Sequence, residues 1–170
     1  MANYRGHIVG GLLANTAYLL ALQSAPGNIL AKTNGILSDW QFLIGLFVIA
    51  VLFALWPDVD TNSKGQDIFF AMAFIADVLL IANGRLEAAA YLGLLGMTPI
   101  LGKHRGWTHS KLSMLLVPLP IILVPYINKS SILTTAMIVY GAAVAGYFSH
   151  LLFDGLIFKH FRVKGNRYSD

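Results

Sequence analysis

Long apolar blocks separated by short polar loops run through most of this chain. Six blocks can be drawn, at about residues 8–23, 41–56, 68–82, 86–101, 112–127 and 132–153. Within each block the apolar residues are continuous rather than spaced at the period of an amphipathic helix or strand, which indicates lipid contact on most faces. The pattern predicts an all-α fold, a polytopic membrane bundle of about six transmembrane helices.

Two blocks carry further structural signals. The fifth contains three prolines that predict a kinked span: Pro118, Pro120 and Pro125. The sixth contains small residues at the spacing that lets helices approach closely: Gly141, Ala142, Ala145 and Gly146. Because no repeat and no long linker divides the chain, residues 1–170 are predicted to form a single integral-membrane domain.

Composition agrees with a membrane protein and excludes other classes. The chain is 56% hydrophobic and 12% charged with a mean hydropathy of +0.66, whereas soluble domains are about 25% charged. It has no cysteine, so disulfides and thiolate metal sites are excluded. The net charge of +4 is explained by basic residues that flank the spans. We therefore expect membrane lipids as neighbours and no nucleic-acid partner.

Basic residues are unevenly divided between the two sides of the predicted bundle. If six spans alternate, nine of the twelve lie on the side of the N-terminus: Arg5, Lys64, Lys103, Arg105, Lys111, Lys159, Arg162, Lys164 and Arg167. The other side holds Lys32, Arg85 and Lys129. The positive-inside rule then predicts that both termini are cytoplasmic.

Four separated segments deliver histidine and aspartate to this same predicted cytoplasmic boundary. The candidate metal ligands are His7, Asp58, Asp60, His104, His109, His150 and Asp154. Imidazole and carboxylate ligands suit Zn²⁺, with Mn²⁺ or Fe²⁺ as alternatives. Seven ligands exceed what one tetrahedral zinc with an open position requires, so two ions fit the count better. The sequence thus predicts a polar metal site at the membrane boundary.

Taken singly, these motifs have plainer explanations. His150 and Asp154 are four residues apart and share one helix face, yet a polar helix end that meets headgroups and water is the preferred explanation for this pair alone. Asp58 and Asp60 fit a solvated turn after a span. Asp77 lies in the middle of the third block, where a carboxylate should face the bundle interior. We expect it to be structural, accepting hydrogen bonds in a packed core from the first block, at Asn15, Thr16 or Tyr18.

Four motifs, in this order, resemble those of the YdjM family of inner-membrane metal-dependent hydrolases. They are "GH", "PDVD", "HRGWTHS" and "GYFSHLLFD", and the resemblance extends from about residue 6 to 158. That family is similar in motif logic to zinc-dependent phospholipase C and related single-strand nucleases. The resemblance implies a bacterial inner-membrane hydrolase acting on a phosphoester or phospholipid-like substrate. Members often have a histidine directly after "PDxD", where this chain has Thr61, so one possible ligand is absent.

The expected mechanism gives the polar residues separate roles. Divalent ions acidify a water molecule, and two ions about 3.5–4 Å apart also clamp the attacking and leaving oxygens. Asp58 or Asp60 is expected to bridge the ions or take the proton from water, and Asp60 is the catalytic candidate. Arg105 is expected to bind an anionic substrate oxygen and assist catalysis. Thr108 and Ser110 are expected to bind substrate or to orient ligands.

Other function classes remain open alternatives. A metal-binding or ion-transport protein without hydrolytic activity would need polar groups near the bilayer midplane, where Asp77 is the one carboxylate. A haem protein could use two facing histidines but would need neither the aspartates nor Arg105. A purely structural membrane protein would leave the convergence of four motifs unexplained.

Overall fold

The structure is a computed structural model, and it describes residues 3–24, 38–59, 63–101, 107–129 and 131–157. Seven α-helices lie in these ranges: α1 (Tyr4–Ser24), α2 (Trp40–Leu55), α3 (Lys64–Ala82), α4 (Leu86–Met97), α5 (Lys111–Leu116), α6 (Pro120–Ile127) and α7 (Leu133–Phe153). Short 3-10 turns occupy Trp56–Asp58, Thr98–Leu101 and Trp107–His109. No strand occurs in these ranges, so the all-α prediction is confirmed.

Helices α1, α2 and α7 pack against one another and form the centre of the molecule. The α3–α4 hairpin packs on α2, and α5 and α6 pack on α7. At one end of this centre lies a cluster of fully buried side chains that includes Trp56, Phe69, Tyr147 and Leu151. Trp56 Nε1 donates a hydrogen bond of 2.8 Å to the Leu95 carbonyl. This bond ties α4 to the end of α2.

Glycine permits backbone contact between the central helices. A Cβ on Gly146 would overlap the carbonyl of Ala50, so α7 touches the backbone of α2 at this point. A Cβ on Gly11 would lie 2.9 Å from the Ala54 Cβ and 3.2 Å from the Ala50 oxygen. Real Cβ atoms do not come within 3.0 Å of other heavy atoms, so a larger residue at either glycine would require the helices to shift.

The small residues of α7 continue this packing along the helix. A Cβ on Gly141 would overlap the Tyr18 hydroxyl, which donates a hydrogen bond of 3.1 Å to the Ile138 carbonyl. Ala142 is fully buried and Ala145 is half-buried. The small-residue faces predicted for the sixth block therefore are used for close helix contact.

The fifth apolar block is helical and bends at its prolines, as predicted, and the bend divides it into two short helices. Helix α5 has six residues and α6 has eight, and residues 117–119 form a bend between them. Proline has no N–H and clashes with the preceding turn, so Pro118 and Pro120 interrupt the helix. Pro120 becomes the first residue of α6, and Pro125 lies inside it.

Three of the described helical segments are long and apolar enough to cross a membrane: Trp40–Asp58, Lys64–Ala82 and Leu133–Phe153. Helix α4 has 12 residues, a rise of about 18 Å, against about 30 Å for the hydrocarbon core of a bilayer. Six full transmembrane helices are therefore not confirmed. The three long apolar helices support a membrane location by length and composition.

Gly146→Ala should destabilise the protein, because the added methyl group meets the Ala50 backbone, which cannot rotate away. We expect a loss of about 1–3 kcal/mol, seen as a lower unfolding midpoint in detergent. Gly45→Ala is the matched control, since a Cβ there has open space around it. Equal midpoints for the two variants would contradict the backbone contact.

Candidate metal centre

Four separate segments bring polar side chains to one end of the three central helices. His7 lies near the start of α1, Asp58 in the turn after α2, and His109 in the turn before α5. His150 is in the last turn of α7, and Asp154 caps that helix. Because α1 begins where α2 and α7 end, these five side chains meet in one layer, as the sequence predicts.

His150 is fixed in orientation by the backbone of α2. Its Nδ1 lies 2.8 Å from the Ala54 carbonyl oxygen. That carbonyl is among the last four of α2, which have no partner inside the helix, and Pro57 brings no N–H to this end. A carbonyl can only accept, so Nδ1 carries the proton. In the neutral ring, Nε2 therefore presents its lone pair to the site.

His7, Asp154 and His150 form one possible ligand set. His7 Nε2 lies 3.7 Å from Asp154 Oδ1, and His150 Nε2 lies 3.8 Å from Asp154 Oδ2. The His7 and His150 rings are stacked, with centroids 4.0 Å apart and planes 19° apart. One ligand atom from each residue lies within 4.8 Å of the other two.

Asp58 and His109 form a second set with the same His150. His109 Nε2 lies 3.3 Å from Asp58 Oδ1 and 3.4 Å from His150 Nε2. Asp58 Oδ1 is also 3.8 Å from His150 Nε2, whereas Oδ2 is 3.7 Å from His7 Nε2. The two oxygens of Asp58 therefore face members of both sets.

The spacing of these atoms fits the edges of a metal coordination shell. Two ligands each about 2.0–2.1 Å from zinc at a tetrahedral angle are about 3.3 Å apart. The separation between His109 Nε2 and Asp58 Oδ1 is 3.3 Å, and the other four nitrogen–oxygen separations are 3.7–3.8 Å. These atoms lie close enough together to share a cation after small side-chain movements.

Burial of Asp154 gives an independent test of fit. Its side chain is 2% exposed, and neither carboxylate oxygen has a hydrogen-bond partner in the described part of the chain. An ionised carboxylate removed from water without donors costs several kcal/mol, which a bound cation would offset. The donor set and the burial both fit a divalent metal ion.

Comparison with family models identifies the relatives of this chain. The model described as YdjM inner membrane protein matches residues 1–162. The chain belongs to the YdjM family. Neither the curated proteins nor the solved structures contain a match to the chain. Family membership and the long apolar helices support a location in the inner membrane.

Three site residues predicted for this YdjM protein lie outside the described residues: Asp60, His104 and Arg105. Their roles remain predictions. Thr108 is 1% exposed, and its Oγ1 lies 3.0 Å from His109 Nδ1. Of its two expected roles, this contact favours orienting a ligand. Ser110 accepts a hydrogen bond of 3.0 Å from Ser113 N and caps α5.

Among the described residues, the buried oxygen of Asp77 makes none of the hydrogen bonds expected for this residue. Asp77 is half-buried on α3, and its buried Oδ1 has no hydrogen-bond partner among the described residues. Thr16 and Tyr18, two of its expected donors, instead bond backbone carbonyls, and the buried amide of Asn15 bonds to no described residue. The physical reason is the packing, since α3 lies against α2 and α4. In the described part of the chain, Asp77 belongs to neither ligand set.

Sequence reasoning missed the groups that orient the histidines. The role of the Ala54 carbonyl cannot be predicted from the sequence, because the alanine side chain has no polar group that would indicate it. Tyr147 is fully buried, and its hydroxyl donates a hydrogen bond to the Thr108 carbonyl. Its position three residues before His150, on the same helix face, is the one signal that could have identified it.

His150→Ala should reduce the zinc content of the purified protein, because His150 belongs to both ligand sets. We expect the zinc affinity to fall more than about 10-fold, the lower bound seen even for residues that only support ligands. Metal analysis after dialysis against zinc is the measurement. Ser149→Ala is the control, since it removes a neighbouring buried hydroxyl that bonds the Gly146 carbonyl. Zinc content equal to wild type in His150→Ala would rule out this site.

Proposed function

We propose that this YdjM protein is a metal-dependent hydrolase that acts on anionic phosphoesters at the cytoplasmic boundary of the inner membrane. One observation carries the proposal: the lone pair of His150 Nε2 faces two carboxylate oxygens. They are Asp58 Oδ1 and Asp154 Oδ2, both 3.8 Å from Nε2. Acceptors repel one another unless a cation or a proton lies between them.

Charge supports a divalent cation in this position. In the ligand form, with deprotonated carboxylates and neutral imidazoles, the site carries a net charge of −2. Four of the five side chains are at most 7% exposed. His7, His150 and Asp154 would hold one ion, and Asp58 with His109 would hold a second. Zn²⁺ suits this set, and Mn²⁺ or Fe²⁺ would also be accepted. When bound, such ions supply Lewis acidity and make a water molecule nucleophilic near neutral pH.

Asp58 is the residue that the geometry favours for one of two roles, the carboxylate shared between ions or, with one oxygen free of metal, the proton acceptor. Its oxygens face both ligand sets, and its side chain is 25% exposed, the most open of the five. A water molecule can therefore approach Asp58, whereas Asp154 is closed off at 2% exposure. In the second role, Asp58 would orient this water and accept its proton. Asp60, the earlier catalytic candidate, would act beside it.

Basic residues around the site support an anionic substrate and the cytoplasmic orientation. Arg5, Lys64 and Lys111 begin α1, α3 and α5 at the site end of the molecule, and all three are exposed. Arg105 would add a guanidinium that binds a phosphoryl oxygen through two hydrogen bonds. The position at a membrane boundary favours a lipid-like phosphoester.

Asp154→Asn should abolish metal binding and hydrolysis together. The change keeps the size of the side chain but removes the charge of a buried ligand that faces His7 and His150. Bound zinc and the release of product from a chromogenic phosphodiester are measured on the same preparation. Asp77→Asn, the matched control, alters a carboxylate outside the ligand sets and should leave both at wild-type levels. Hydrolysis that survives the loss of metal would refute a metal-dependent mechanism.

Arg105→Ala should separate catalysis from metal storage. A guanidinium is always protonated and cannot bind a cation, so metal content should stay near wild type. Loss of a charge-assisted hydrogen bond costs about 2–4 kcal/mol, so hydrolysis should slow roughly 30- to 1,000-fold. Wild-type rates in Arg105→Ala would show that the substrate class is wrong. A wild-type protein that binds zinc but cleaves no phosphoester or phospholipid would instead be a metal-binding protein.

A further inference from the structure

Tyr147 is a fully buried polar residue beside the candidate metal centre that the proposed hydrolysis does not use. It precedes His150 by three residues and so shares its face of α7. Its ring packs against the Trp56 ring, with centroids 5.6 Å apart. Its hydroxyl leaves this apolar surface and donates a hydrogen bond to the Thr108 carbonyl.

The hydrogen bond from Tyr147 affects His109 because its acceptor, the Thr108 carbonyl, is part of the backbone that carries His109. The Thr108 carbonyl belongs to the planar peptide unit that ends at the His109 Cα. A hydrogen bond to that oxygen fixes the plane from which the His109 side chain projects. At the far end of the His109 side chain, Nε2 lies 3.4 Å from His150 Nε2. Tyr147 thus connects the helix that carries one histidine to the backbone that carries the other.

The Thr108 side chain restrains the same ring at a second point. Its Oγ1 lies 3.0 Å from His109 Nδ1. A histidine that binds metal through Nε2 carries its proton on Nδ1, and in that state the Thr108 hydroxyl accepts it. One residue therefore receives the Tyr147 bond on its carbonyl and orients the His109 ring with its side chain.

We infer that Tyr147 is a positioning residue of the metal centre, which through Thr108 holds His109 Nε2 at ligand distance from His150 and Asp58. The inference rests on the metal-binding part of the proposed function and is independent of hydrolysis. Its physical basis is that outer hydrogen bonds orient the ligands they touch, and their removal typically costs about 10- to 100-fold in metal affinity.

The test compares Tyr147→Phe with Tyr18→Phe in the full-length protein. Each change removes one hydroxyl that bonds a backbone carbonyl, but Tyr18 bonds Ile138, towards the other end of α7. Two properties are measured in detergent: the unfolding midpoint without metal, and the Zn²⁺ affinity from competition with a chelator. Substitution with Co²⁺ adds the visible absorption bands, which report the ligand geometry.

We expect both variants to lower the metal-free midpoint by a similar amount, since each loses one hydrogen bond. Tyr147→Phe alone should bind Zn²⁺ about 10- to 100-fold more weakly and should shift the Co²⁺ bands. Wild-type Zn²⁺ affinity in Tyr147→Phe, or an equal loss in Tyr18→Phe, would overturn the positioning role. A wild-type protein that binds no Zn²⁺ would instead overturn the proposed metal site.

A second variant keeps the inference testable if Tyr147→Phe does not fold. Thr108→Val preserves the shape of the side chain and the backbone carbonyl but removes the contact with His109 Nδ1. We expect the same weakening of Zn²⁺ binding and a similar change in the Co²⁺ bands. Unchanged affinity and spectrum in Thr108→Val would contradict the restraint of His109 by this residue.

Discussion

The hydrogen bond between His150 Nδ1 and the Ala54 carbonyl joins the two helices on which the rest of the structure depends. Four residues earlier on each helix, Gly146 touches the backbone of Ala50. Moving four residues towards the C-terminus on α2 also moves the contact four residues towards the C-terminus on α7. The two helices are therefore parallel and in fixed register. Close packing at the glycine makes the histidine bond possible, and that bond aims Nε2 at the centre of the site. Helix packing and the geometry of the site therefore have one physical origin.

Much of the site follows from the order of helices along the chain. Consecutive helices in a bundle run in opposite directions. The start of the first block and the ends of the second and sixth blocks therefore lie at the same end of the bundle, and polar residues at those positions can be assigned to it. That argument correctly brings His7, Asp58 and His109 together with the pair at the end of α7. It needs neither distances nor side-chain orientations. For the same reason, it cannot say which ring nitrogen faces the site.

The remaining features depend on interactions that have no sequence signature. The Ala54 carbonyl accepts from His150 because α2 ends at that point, not because of the alanine side chain. Asp77 was expected to meet α1, but apolar blocks do not specify which helices are neighbours, and α3 packs against α2 and α4.

Differences in exposure among the five side chains suggest a division of labour within the proposed centre. His7, His150 and Asp154 are at most 2% exposed and lie on or directly after α1 and α7, two of the helices that form the centre of the molecule. Asp58 is 25% exposed and follows α2 in a short turn. A deeply buried set holds its ligands in a fixed geometry but admits no substrate, whereas an open carboxylate can meet water. Chemistry at this centre would therefore begin at Asp58, with the core histidines and Asp154 serving as its support.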